Sequence, residues 1–102
     1  MRNLGQLYDE CRDLGVISSQ KAFSVLCGKQ PSWFSSTQAR RRVPSTESLV
    51  TLFVRLGKVE EATQEELLET GIKEECDALA EGLVEVRKMR AEVWAEIVSR
   101  AN

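Results

Sequence analysis

The chain has 102 residues, 42% of them hydrophobic and 29% charged, which suits one folded domain with or without an appended element and excludes two independent cores or a large multi-step enzyme. Its 14 basic and 16 acidic side chains leave a net charge of −2 and include no histidine, which removes the commonest general base and metal ligand and weakens hydrolase, nuclease and metalloenzyme readings. The small total hides a division, since residues 1–58 carry nine basic and four acidic side chains, net +5, and residues 59–102 carry five and twelve, net −7, so one half is suited to face a polyanion while the other stays away from it.

In chain order, Leu4, Leu7, Tyr8, Cys11 and Leu14 fall on one face of a helix, which Gly15 ends. A second short helix is expected from Ser18 or Ser19, either a suitable N-cap, to Gly28, with Ala22, Phe23, Leu26 and Cys27 as its apolar residues. Pro31 suits the first turn of a third helix, because its missing N–H has no intrahelical partner there. That helix is expected to run to about Ala39 with Phe34 inward. Arg40, Arg41, Arg42 and Val43 follow, and Pro44 disfavours helix at Val43. Ser45 or Thr46 caps a fourth helix, in which Leu49, Val50, Leu52, Phe53 and Leu56 repeat at helical spacing before Gly57. Leu7, Phe23, Leu26, Phe34, Leu49, Leu52 and Phe53 are the expected core.

From residue 64 to residue 100 the pattern stays helical, interrupted by Gly71 and Gly82. Ile72, Leu79, Val86 and Val93 recur every seven residues, and Cys76, Leu83, Arg90 and Ile97 form a second such series. Together they make a heptad seam that Arg90 breaks once. The expected architecture is all-α: a helix-turn-helix bundle of four short helices over residues 1–57, then a long amphipathic and acidic helical segment over 58–102. Strand-type alternation of useful length is absent. Cys11, Cys27 and Cys76 are odd in number and lack CxxC spacing, so they read as buried thiols of a reducing compartment, with neither a zinc site nor a disulfide framework and no cofactor indicated. No apolar run approaches the roughly 20 residues that cross a bilayer, and Met1-Arg2-Asn3-Leu4 does not open a signal peptide. A cytoplasmic protein with no membrane partner is expected.

Two short helices joined by a tight turn at Gly28, with a helix before and after to bury them, form the sequence image of a helix-turn-helix. The second helix of such a pair enters a major groove when its solvent face is small or polar at its N-terminal end, as Gln30, Ser32, Ser35 and Ser36 provide. Residues 19–56 resemble, without a gap, the Cro/repressor-type (lambda-repressor-like) helix-turn-helix family. The turn glycine is matched by Gly28, the polar helix start by Gln30-Pro31-Ser32-Trp33, and the core position by Phe34. The basic turn and cap are matched by Arg40-Arg41-Arg42-Val43-Pro44-Ser45-Thr46, and the leucine-rich face by Leu49, Leu52, Phe53 and Leu56. The chain departs from the family's usual alanine at Ser24 and from its usual glycine at Arg40, which predicts a third helix that runs on. It also resembles small uncharacterised helix-turn-helix-like proteins of alphaproteobacteria that carry a Trp/Tyr-Phe pair in the third helix, a likeness that implies no established activity.

The resemblance implies sequence-specific binding of double-stranded DNA by a small dimeric transcriptional regulator, a repressor associated with the nucleoid. Gln30, Pro31, Ser32, Trp33, Ser35 and Ser36 would then face the groove, and Arg40, Arg41 and Arg42 the phosphates. Structural readings stand beside these: a solvated basic turn, an exposed polar face, and Trp33 as a core residue. For the seam, Ile72, Cys76, Leu79, Leu83, Val86, Val93 and Ile97 are the candidate homodimer contacts, which would present two recognition helices to a palindromic operator. The alternative is a seam packed on its own domain. A rival function is a helical adaptor or anti-activator that keeps the scaffold and binds another protein. No nucleophile, base and orienting group assemble from the motifs present, so an enzyme is not expected.

Overall fold

In the computed structural model, which describes residues 3–101, the chain forms α1 (Leu4–Asp13), α2 (Gln20–Leu26), α3 (Trp33–Ala39), α4 (Thr46–Glu69) and α5 (Lys73–Ala101), and no strand occurs among the described residues. The all-α class expected from the periodicity is the class found. None of these helices is long and apolar enough to cross a membrane.

Local chemistry sets the starts. Asn3 and Gln6 form a reciprocal capping box at α1, Ser19 caps α2 by accepting from the Ala22 N–H at 3.1 Å, and Ser45 caps α4 by accepting from the Ser48 N–H at 3.2 Å. The first three helices share one kind of ending. In each, the residue after the C-cap turns left-handed, and two crossed N–H bonds tie the next residues back to the last turn. For α1 these are Gly15 N to Arg12 O at 3.0 Å and Val16 N to Cys11 O at 2.9 Å. For α2 they are Gly28 N to Val25 O at 2.9 Å and Lys29 N to Ser24 O at 3.0 Å. For α3 the pair is Arg41 N to Gln38 O at 3.1 Å and Arg42 N to Thr37 O at 3.0 Å. Gly15 and Gly28 take this turn at φ 77° and 76°, whereas at the third position an arginine takes it, at φ 52°. The helix therefore does not run on past Arg40. The left-handed residue sits one place beyond Arg40, where the resemblance put its glycine.

The core joins all five helices. Tyr8, Phe23 and Phe34 meet with ring centroids 4.9–5.7 Å apart, and Leu4, Leu7, Cys11, Leu49, Leu52, Leu56, Met89 and Val93 close around them. Of the seven expected core residues, Leu7, Phe23, Phe34, Leu49 and Leu52 are buried, and Leu26 and Phe53 pack half-buried against them.

One boundary differs from the expectation. The fourth helix is not short: it passes through Gly57 and continues to Glu69, so the boundary placed between residues 57 and 58 falls inside α4. Val59, Thr63 and Leu67 extend the face of Leu49, Leu52 and Leu56 and stay half-buried, so the helix has a partner surface well beyond the glycine. That partner is α5, which returns antiparallel after the turn at 70–72: Glu60 meets Arg87, Phe53 meets Arg90, and Thr46 meets Arg100.

The seam is occupied from within the chain. Leu83, Val86 and Val93 are buried, Cys76, Leu79 and Ile97 are half-buried, and Ile72 is exposed. At the break in the seam, Met89 takes the fully buried place. Arg90 lies beside it with its guanidinium 4.0 Å from the Phe53 ring centre, bonded to the Phe53 carbonyl at 3.1 Å and paired with Glu60 at 3.6 Å.

Candidate nucleic-acid interface

The turn between α2 and α3 is built from a helix ending and a proline turn. After Gly28, the Trp33 N–H bonds the Gln30 carbonyl at 2.9 Å, and Ser32 at φ −85°, ψ −5° occupies the third position of a type I turn whose second position is Pro31. Pro31 thus precedes the N-cap instead of entering the first turn of α3, and its fixed φ shapes the approach to the helix.

Ser32 makes no side-chain cap bond to α3. The hydroxyl that does so comes from α2: Ser24 Oγ accepts from the Phe34 N–H at 2.9 Å and donates to the Gln20 carbonyl at 3.1 Å, fully buried. A single side chain therefore satisfies an otherwise orphaned N–H at the start of α3 and fixes the angle between the two helices. The sequence reading passed over it. The signal was present in the serine that replaces the usual alanine.

The remaining surface of α3 faces solvent. Gln30, Pro31, Ser32, Ser35 and Ser36 are exposed, and Ser35 turns its hydroxyl back to donate to the Ser32 carbonyl at 3.1 Å. Trp33 is half-buried and packs on the core, in line with the structural reading of that residue. Arg40, Arg41 and Arg42 are exposed at the end of α3. Among the described residues they make no side-chain ion pair or hydrogen bond.

Charge is sorted along the chain. Residues 14–46 contain no carboxylate and five cations, Lys21, Lys29, Arg40, Arg41 and Arg42. Four cations of α5 are partnered instead: Arg87 pairs with Glu60 at 2.9 Å, Lys88 with Glu85 at 3.5 Å, Arg90 with Glu60 at 3.6 Å, and Arg100 with Glu96 at 3.2 Å. One carboxylate of the acidic half, Glu96, reaches the arginine turn, and Arg100 neutralises it.

Among the described residues no group of His, Cys, Asp or Glu is spaced to hold a metal ion. Burial pushes the Cys11 and Cys27 thiols up to about 12, with Glu10 adding to the effect at Cys11, so both stay protonated and inert.

No curated protein and no solved structure matches the chain. Residues 4–101, all five helices, match a family of unknown function, DUF6626, and the chain belongs to that family.

Proposed function

We propose that the chain binds double-stranded DNA as a small transcriptional regulator, a repressor by simple occlusion, with α3 in the major groove and Arg40, Arg41 and Arg42 on backbone phosphates. One observation carries the reading. The helix pair positioned by Ser24 lies in a carboxylate-free stretch and ends on three exposed arginines without side-chain partners among the described residues. Such a surface attracts a polyanion, and the small hydroxyls of Ser32, Ser35 and Ser36 allow close approach to base edges.

Arg41 adds support. A non-glycine residue in the left-handed region costs about 1 kcal/mol or more, and glycine fills the equivalent place in α1 and α2. An arginine held there at that cost fits a side chain used for something other than folding.

A homodimer on a palindromic operator belongs to the same proposal, with its contact moved within the C-terminal helix. Since α4 and the bundle cover the heptad seam, pairing falls to the outer stripe of α5, where Val84, Ala91, Trp94 and Val98 are exposed and Trp94 rests on Phe53 at 5.2 Å. The same patch supports the adaptor reading, in which another protein covers it.

Fluorescence anisotropy with genomic-selected and scrambled duplexes at two salt concentrations tests the proposal. Three arginines on each of two subunits give a slope of log affinity against log salt of about −5, and a monomer gives about half that. Absence of DNA binding at low salt would sink the regulator reading and leave the adaptor.

A further inference from the structure

Beside the arginine turn the surface folds into a cavity of about 520 Å³, between the first turn of α1, the loop after α3 and the last turn of α5. That volume lies within the range of small-molecule sites. Among the described residues three guanidinium groups, Arg41, Arg42 and Arg100, line it against one carboxylate, Glu96. Arg100 is engaged: besides Glu96 at 3.2 Å, its Nη1 donates to the Pro44 carbonyl at 2.7 Å and to Thr46 Oγ1 at 3.3 Å, which ties the end of α5 to the start of α4. Arg41 and Arg42 have no side-chain partner among the described residues, so the cavity carries two uncompensated positive charges.

The lining identifies what would neutralise it. A guanidinium matches the paired oxygens of a carboxylate or phosphate, and the two unpaired forks of Arg41 and Arg42 suit a doubly charged anion better than a single charge. Val43 and Pro44 supply an aliphatic wall. Among the described residues no aromatic side chain lines the cavity, so they offer a nucleobase nothing to stack on. We infer that this cavity binds a small aliphatic dianion, a dicarboxylate or an aliphatic phosphate ester, and that its occupancy opposes DNA binding.

The antagonism rests on the proposed DNA contact and the anion site does not. An occupant draws Arg41 and Arg42 toward the cavity and places negative charge next to the backbone phosphates they would otherwise meet. Linkage then requires DNA to weaken anion binding by the same factor.

Glutarate and glycerol 3-phosphate, titrated calorimetrically into the DNA-free full chain against chloride at matched ionic strength, test the site. Saturable one-to-one binding of at least one probe is expected, and the tighter of the two assigns the anion as carboxylate or phosphate. Val43→Glu places a carboxylate at the mouth on a side chain that is 79% exposed, and Arg42→Ala removes one fork. Each should weaken binding about tenfold or more, the loss of one charge-assisted contact, with thermal unfolding unchanged. A response no larger than chloride's, or binding unaltered in both variants, overturns the site. In the second arm, saturating probe should lower affinity for duplex DNA about tenfold. DNA affinity indifferent to bound probe overturns the antagonism. A protein that binds the probe and no DNA keeps the anion site while removing the regulator reading.

Discussion

Ser24 bonds both ways, to Gln20 behind it and to Phe34 on the next helix, and the two contacts predict an asymmetric cost. Ser24→Ala keeps the close packing of α2 on α3 but strands the buried Phe34 N–H, which should cost about 1–3 kcal/mol and speed hydrogen exchange at that amide ahead of its neighbours. Arg41 should respond in the opposite sense. Arg41→Gly relieves the left-handed backbone and should raise stability by about 1 kcal/mol, while on the proposed function DNA affinity falls at every sequence because a phosphate contact is lost. Chemical denaturation and anisotropy on the same preparation separate the two effects. The thiols give a third test. Burial holds Cys11 and Cys27 protonated, so Ellman's reagent at pH 8 should label half-buried Cys76 first and the other two on unfolding. Their folded values lie above the ordinary 9.0, near 12, so their contribution to stability is complete below about pH 9 and is lost as pH rises from there toward 12.

Two glycines inside helices look alike in sequence and differ in what surrounds them. A Cβ built on Gly82 meets nothing within 4 Å, whereas one on Gly57 lies 2.8 Å from the Arg90 guanidinium. Gly82→Ala should therefore stabilise α5 by about 1 kcal/mol through helix propensity alone. Gly57→Ala should lose that gain by pushing Arg90 off Phe53 and Glu60, and should recover it when Arg90 is replaced by Met. Melting temperatures of the three variants and the double variant check the coupling. The contrast also explains what was legible. Periodicity placed α1, α2, α3 and the start of α4, because a capping residue, glycine or proline marks an end of each amphipathic face within a few residues. It misjudged the end of α4, because Gly57 is a recess for a side chain 33 positions away, and no local pattern carries that. The heptad seam was read correctly as an apolar surface, but spacing alone could not say whether its partner was a second chain or α4 of the same one. For the interface, the polar and basic residues of 30–42 were legible, whereas the hydroxyl that positions them, the left-handed Arg41 and the cavity beside it depend on tertiary contacts.

The five helices form a body of 46 × 31 × 18 Å in which the two halves of opposite charge share one core, since Met89 and Val93 of the acidic half are fully buried among residues of the basic half. Cutting the chain after residue 58 should therefore not release a folded unit. It opens the side of the core that α5 covers, and the fragment should show weak helical circular dichroism and no cooperative melt. A fragment that melts cooperatively would instead restore two separable domains. The contact between Cys11 and Met89, sulfur to sulfur at 3.6 Å across 78 residues, carries a consequence for synthesis. At the usual elongation rate, the 54 residues from Arg40 to Val93 take roughly 3–11 s to translate, and through that interval α3 exists as sequence without the core that holds it. On the proposed function, a nascent chain stays silent toward DNA until α5 has emerged, so a messenger truncated within α5 yields a product without competence rather than a partly active one.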